Sequence, residues 1–273
     1  MVLKGLDIDG IIKVDNARVY GLEESIIASG YPMAIFTTDL DEDEGEKTSA
    51  INYLIDKDYK RARHLGNAIP GSGHDCFLKG ITVQFDLQVS EYIWRQLDRY
   101  HFIDYISSQS KMHRILKIDI DKNCNKYVSD YTKDYLKQLI WMYNNFELVY
   151  QKVTDKYVLC YQEQDNEEVE NIFSIDEVDY YDIEFSVDYK TKDVYIEIHS
   201  LESNNIVFNK ENLFNIIIAN TPSGLMLTAR MTTNYLQLKS IINQRSNHKM
   251  QEWRYLCDWF KSLPMFEELV CKK

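Results

Sequence analysis

Between positions 81 and 89 every second side chain is apolar: Ile81, Val83, Phe85, Leu87 and Val89 alternate with Thr82, Gln84, Asp86 and Gln88. Successive side chains of a strand point to opposite faces, so the spacing predicts a strand with one buried face. Such a strand needs neighbours for its backbone groups and a layer over its apolar side. Short apolar runs broken by Gly5, Gly10 and Gly21 predict strands before the helical segment LEESIIAS. The stretch GNAIPGSGHD is turn chemistry, with Pro70, Gly71 and Gly73 interrupting regular structure. Ser90 can cap a helix over about 91–105, in which Ile93, Leu97, Tyr100 and Asp104 share a face. A long amphipathic helix is expected over about 129–148, with Tyr135, Leu136, Leu139, Ile140, Tyr143 and Phe146 inward. Helical patterning returns at 211–220 and again after Asn234, and Trp253, Leu256 and Phe260 form a last inward set. Strands and helices thus share the chain, which places it in the α+β class.

Charge narrows the partners. The 273 residues carry 31 Lys and Arg against 43 Asp and Glu, a net −12. Eleven of the acids fall between Tyr161 and Asp188, where no Lys or Arg occurs, so the remainder is close to neutral. That balance disfavours nucleic acid as a partner, although clustered arginines on a neutral body can still hold one small anion. Within the acidic region Ile183, Phe185, Val187 and Tyr189 alternate, KTKD offers a turn, and Val194, Ile196 and Ile198 alternate again. This predicts a β-hairpin. The stretch 153–208 is expected to be an acidic, β-rich insertion within a single domain spanning 1–273. No secretory signal and no apolar run long enough to span a membrane are visible, so a cytoplasmic protein is expected. Cys76, Cys124, Cys160, Cys257 and Cys271 are scattered without a CxxC pair, which argues for reduced thiols over a disulfide framework or zinc site.

Common catalytic signatures are missing: no GxSxG, HExxH, Walker loop or GxGxxG occurs. Asp39, Asp41 and Asp43 approach a calcium loop, but Gly45 comes one place late and no glutamate closes the set. The DIDG at 7–10 lacks both the hydrophobic strand and the hydroxyl residue of a phospho-aspartate motif. Two placements stand out instead. Gln96 and Arg99 border an apolar helix face, which suits either the wall of a pocket or an ordinary boundary position. Arg245 continues the stripe Leu238, Ile241, Ile242, and a guanidinium on a buried line is costly unless it meets an anion or carboxylate.

Several segments together resemble the flavin-dependent thymidylate synthases. GHDCFLKGITVQF resembles that family's Gly-His turn leading into a buried strand, and VSEYIWRQLDRYHF its helix with Arg-Gln and the start of an Arg-His-Arg fingerprint. TTNYLQLKSIINQRSNHKMQEW resembles its C-terminal helix, where an Asn precedes a nucleotide-binding Arg by eleven residues. GLEESIIASGYPM is a weaker match to the family's N-terminal region. The resemblance implies an antiparallel sheet with packed helices, with the acidic hairpin region inserted. It implies a homotetramer that binds FAD and dUMP or a related pyrimidine deoxynucleotide. Methylenetetrahydrofolate would be the one-carbon donor and NADPH the electron source, in a reductive one-carbon transfer.

Residue by residue, the resemblance puts His74, Cys76, His101 and Asn234 on the flavin side. It puts Gln96, Arg99, Ser110, Lys111 and Arg245 on the substrate side, with Arg99, Ser110 and Arg245 as catalytic positions and no metal. The family's Arg-His-Arg reads Arg99-Tyr100-His101 in this chain. Its next serine is Ser110 with an eight-residue gap, or Gln109 with seven. The arginine expected before Pro222 falls within Ile216-Ile217-Ile218, and the acid after the Gly-His pair is Lys79. Arg230, Lys111 or Arg114 could rebuild the lost contacts. These departures leave two alternatives: a catalytically altered homologue that binds flavin or nucleotide, or a pyrimidine-modifying enzyme with another product.

Overall fold

A computed structural model describes residues 3–33, 56–69, 71–151, 156–161, 183–188, 193–198, 206–207 and 210–271. Pro70, the aspartates at 39, 41 and 43, most of the acidic stretch and the KTK of the expected hairpin turn lie outside the described residues. In chain order the first elements are β1 (Leu6–Ile8), β2 (Ile12–Tyr20), α1 (Leu22–Ala28), α2 (Asp56–Gly66), β3 (Thr82–Ser90), α3 (Glu91–Leu97) and β4 (Ile103–Ser108). There follow α4 (Lys111–Arg114), α5 (Ile120–Asn123), α6 (Asp130–Asn145), β5 (Phe146–Gln151), β6 (Lys156–Tyr161), β7 (Ile183–Asp188), β8 (Asp193–Ile198) and β9 (Ile206–Val207). The last are α7 (Lys210–Asn220), β10 (Met226–Asn234), α8 (Tyr235–Arg245), α9 (Gln251–Lys261) and α10 (Phe266–Val270). They form two compact units, Met1–Gln109 with Met226–Lys273, and Ser110–Leu225.

The first unit is a five-stranded antiparallel sheet in the order β1-β2-β3-β10-β4, with helices packed on it. The alternation along β3 is realised: Val83, Phe85, Leu87 and Val89 are fully buried, while Thr82, Gln84, Asp86 and Gln88 are only partly so. Val14 on β2 and Met231 on β10 extend the same buried face. Against it lie Leu238 and Ile241 of α8, Trp253, Leu256 and Phe260 of α9, and Phe266 and Leu269 of α10, all buried. Phe85 meets the Trp259 and Phe260 rings at centroid distances of 5.1 and 6.2 Å, one tilted and one edge-on, as aromatic quadrupoles favour. Long-range pairing of β10 with β3, in register from Thr82↔Asn234 to Ser90↔Met226, joins the two ends of the chain into one core.

The expected helix over 91–105 is shorter in the structure. It stops at Leu97 with Asp98 as its C-cap, and the chain turns into the edge strand β4, which pairs with β10. The run Phe102-Ile103-Asp104-Tyr105-Ile106 is rich in β-branched and aromatic residues, and the neighbouring β10 edge favours a strand over continued helix. Asp104 therefore stands opposite Thr232 in the sheet instead of on a helix face. The helix expected to reach 148 likewise ends at Asn145, and Phe146 begins β5 opposite Tyr161.

In the second unit Leu136, Leu139 and Met142 of α6 and Leu213 and Ile217 of α7 are buried, and the rings of Tyr143 and Phe214 lie 6.0 Å apart. Ser129 caps α6, its hydroxyl accepting from the Thr132 N–H at 3.2 Å. β7 and β8 pair antiparallel from Ile183↔Ile198 to Asp188↔Asp193, which are the two segments whose alternation predicted a hairpin.

Gly66 closes α2 against α10. A Cβ at this position would collide with the backbone carbonyl oxygen of Leu269, which has no flexible side chain to yield. Gly66→Ala is expected to lower the unfolding free energy by about 1–3 kcal/mol, the usual cost of overpacking, read as a lower urea midpoint at unchanged m-value.

Candidate functional site

Three helix ends converge in the first unit. Asn234 ends β10 in an extended conformation, and its side-chain oxygen accepts from the Gln237 N–H at 2.9 Å, starting α8. Eleven residues later α8 delivers Arg245 to a point beside α3 and the start of α9. The guanidinium lies over the Trp253 ring at 4.9 Å and near the Tyr100 ring at 5.8 Å. Its Nε donates to Tyr100 Oη at 2.9 Å and its Nη1 to Gln96 Oε1 at 3.4 Å. Gln96 Oε1 also accepts from Trp253 Nε1 at 2.9 Å, and its amide nitrogen reaches Met250 Sδ at 3.1 Å. Tyr100 Oη in turn donates to Gln244 Oε1 at 3.1 Å.

Arg245 thus sits partly buried in a frame of neutral acceptors and aromatic faces, and among the described residues it forms no ion pair. Both hydrogen bonds use Nε and Nη1, which leaves Nη2 without a partner among the described residues. With those two nitrogens engaged, Nη2 is the donor left for a phosphate oxygen or a base carbonyl. Glu252 is buried nearby with Tyr92 Oη donating to it. Removal from water, and then the positive charge of Arg245, hold the His248 pKa below 6.5. Its Nδ1 accepts from the Met250 N–H at 3.2 Å. Trp253 escapes a reading for chemistry because its spacing marks it as core, and Tyr100 reads only as an altered fingerprint position; the packed structure shows that both rings flank Arg245.

Among the described residues, no hydrogen bond or ion pair joins the remaining expected positions to Arg245. Arg99 is exposed. Ser110 belongs to the second unit, where its hydroxyl accepts from the His113 N–H at 3.4 Å, and Lys111 opens α4 after it. Arg230 is tied to Asp86 at 3.2 Å. The four flavin-side positions come to one end of the sheet. Thr82, just after the segment that holds His74 and Cys76, pairs with Asn234, and Thr233 pairs with Ile103, two residues past His101. His74, Cys76 and His101 are exposed, and the Asn234 amide nitrogen has no partner among the described residues. These exposed polar groups are the ones that the sequence resemblance assigns to a flavin. Asn234 lies roughly 16 Å from Arg245 along α8 at 1.5 Å per residue.

One buried contact orders this end and was not anticipated. The Lys239 ammonium donates to Gly66 O at 2.8 Å, Ala68 O at 2.9 Å and Asp75 Oδ2 at 2.7 Å. Lys239 and Asp75 side chains are only 6% and 5% exposed. All three ammonium protons are spent, so α8 grips both ends of the turn segment that presents His74. Lys239 stands four residues after Tyr235 and three before Ile242, on the buried stripe, and that spacing was the available signal.

No family model matches the chain, and no curated protein matches it. Among solved structures it is similar to two of the flavin-dependent thymidylate synthase ThyX from Helicobacter pylori, each with FAD and dUMP. One is 12% identical with a TM-score of 0.44, covering 93% of this chain and 94% of that one. The other is 12% identical with a TM-score of 0.46, covering 95% and 96%.

Replacing Lys239 by Met leaves Asp75 as an uncompensated buried charge and is expected to cost about 3–5 kcal/mol in urea unfolding. Adding Asp75→Asn should recover part of that loss. For His248 the folded pKa lies below the unfolded value of 6.5, so its contribution to stability is present above that pH and lost as pH falls through the folded pKa. His248→Gln is therefore expected to shrink the acid-side loss of stability, measured as urea midpoints on either side of pH 6.5.

Proposed function

We propose that the protein is a flavin-dependent thymidylate synthase-like enzyme that binds FAD and a pyrimidine deoxynucleotide and carries out a reductive one-carbon transfer. The observation that carries this reading is the half-open Arg245 guanidinium, held by Gln96, Tyr100 and Trp253 without a carboxylate. A partly buried guanidinium without a paired carboxylate keeps its charge available to an anionic ligand. The resemblance of three sequence segments to the family supports the same reading.

In this proposal Arg245 Nη2 engages dUMP, and Gln96 fixes the guanidinium plane through its Oε1. Trp253 and Tyr100 exclude water from one face of the cation, which strengthens its field on the nucleotide. His74, Cys76, His101 and Asn234 would hold the flavin, which supplies the reducing equivalents when bound. The chain's own residues bind and orient, so no protein nucleophile is required. Methylenetetrahydrofolate and NADPH complete the proposed reactants. Arg99 and His101 are exposed beside Phe102, which is itself 61% exposed. Assembly of a homotetramer would cover this edge and bring Arg99 to the substrate.

Purified protein incubated with FAD is expected to show bound-flavin absorption that changes on adding dUMP, and to form dTMP with methylenetetrahydrofolate and NADPH. Arg245→Ala should weaken dUMP binding by about tenfold or more, since a charge-assisted hydrogen bond is worth over a kilocalorie per mole. Sedimentation should give four times 32.3 kDa. Absence of flavin uptake together with unaltered dUMP affinity in Arg245→Ala would overturn the proposal. Turnover of deoxycytidylate instead of dUMP would identify the variant with another product.

A further inference from the structure

The outer face of the sheet, opposite the helices, carries a second arrangement of arginines. Along β2, Ile12 and Val14 are buried while Lys13 and Asp15 face out. Strict alternation would continue with Asn16 and Arg18 inward and Ala17 outward. The structure does the reverse. Asn16 adopts φ 51°, the left-handed region, and the register jumps from Asp15↔Asp86 to Arg18↔Gln84. This bulge buries Ala17 completely and turns Arg18 out to the face that bears Asp86 and Arg230. Asparagine tolerates the left-handed backbone better than most residues. Here its side chain adds a reason to stay, since Nδ2 donates to Asp86 Oδ2 at 2.6 Å.

Asn16, Arg18, Asp86 and Arg230 line an open depression of about 310 Å³. Asp86 has both oxygens engaged, Oδ2 by Asn16 and Oδ1 by Arg230 Nη1 at 3.2 Å. The same Nη1 donates to the Asn16 carbonyl at 2.9 Å. One nitrogen of Arg230 therefore makes both bonds, and its Nε and Nη2 have no partner among the described residues. Arg18 has no hydrogen-bond or ion-pair partner among the described residues either. Lys13 and Asp15 beside them are paired at 3.0 Å, with Asp7 at 3.9 Å from the same ammonium, so they add no surplus positive charge. Two guanidinium groups thus face a depression that contains one carboxylate, already occupied.

The geometry points to a second anion site: Arg18 and Arg230, aimed by the Asn16 bulge, bind the dianionic phosphate group of a small molecule. The Asp86–Asn16 pair fixes Arg230 as the rigid half, and exposed Arg18 closes from the other strand. Guanidinium forks match phosphate oxygens bidentately, and the depression suits a ligand of phosphate to phosphomonoester size. The site lies on the opposite face of the sheet from Arg245 and stands independently of the flavin reading.

Isothermal titration with inorganic phosphate, at constant ionic strength made up with chloride, tests this. The wild-type chain is expected to bind phosphate saturably, Arg18→Ala to weaken it about tenfold or more, and Arg18→Lys to fall between. Arg18 makes no internal contact, so its thermal unfolding should match the wild type. The loss caused by Arg18→Ala should be the same in an Arg245→Ala background, which separates the site from the nucleotide proposal. Equal affinity for phosphate and glycerol 3-phosphate would assign the site to the free ion, and tighter binding of the ester to a phosphorylated metabolite; either supports it. Unsaturable binding, equal competition by chloride, or an unchanged isotherm in Arg18→Ala would overturn it.

Discussion

A lysine ammonium with all three of its protons committed inside the protein organises the end of the sheet where the expected flavin residues gather. Lys239 joins α8 to the carbonyls at 66 and 68 and to the Asp75 carboxylate, so the turn between them has fixed ends. Gly71 and Gly73 in that turn have positive φ angles of 85° and 78°, a backbone that few side chains would accept. A turn of this kind has little intrinsic order. The buried ion pair ties down the segment that carries His74 and Cys76 ahead of the strand that follows.

That anchoring matters because the sheet register does the rest. β3 leaves the anchored turn, crosses the core and hands the chain to α3, while β10 returns antiparallel and hands it to α8. Each helix therefore starts where a strand ends, and the two carry Gln96 and Arg245 into contact although 149 residues separate them. Phe85 against Trp259 and Phe260 locks the helical layer to the strand between them. Small rotations of α9 would take Trp253 off the guanidinium, so core packing and cation placement are one constraint.

Much of this was legible in the sequence where a single element carries the pattern. The alternation at 81–89, the helix that begins after Asn234 and the spacing that puts Arg245 at its end each depend on pattern within one element, and each appears in the structure. What spacing could not give depends on partners remote in sequence. The 91–105 pattern fits a helix until β10 offers Ile103 a ladder of hydrogen bonds. Tyr100 looked like the loss of a fingerprint residue, yet its hydroxyl is the acceptor for Arg245 Nε. The bulge at Asn16 has no periodic signature, because alternation is the very rule that it breaks.

The two arginine arrangements show how differently a sheet and its helices manage surplus charge. Arg230 is held by a carboxylate whose second oxygen is occupied by an asparagine, so the acid is consumed in positioning and the cation keeps two nitrogens open. Arg245 is held by a neutral amide and a phenol between aromatic faces, and among the described residues no carboxylate pairs with it. The first frame is solvated and screened, and its hold on an anion should fall with salt. The second is shielded by Trp253, and its field should persist. A polar sheet face can tolerate an exposed arginine such as Arg18 at little cost, whereas a helix layer must surround its arginine before the core will close. The stricter requirement is the stronger sign of a ligand.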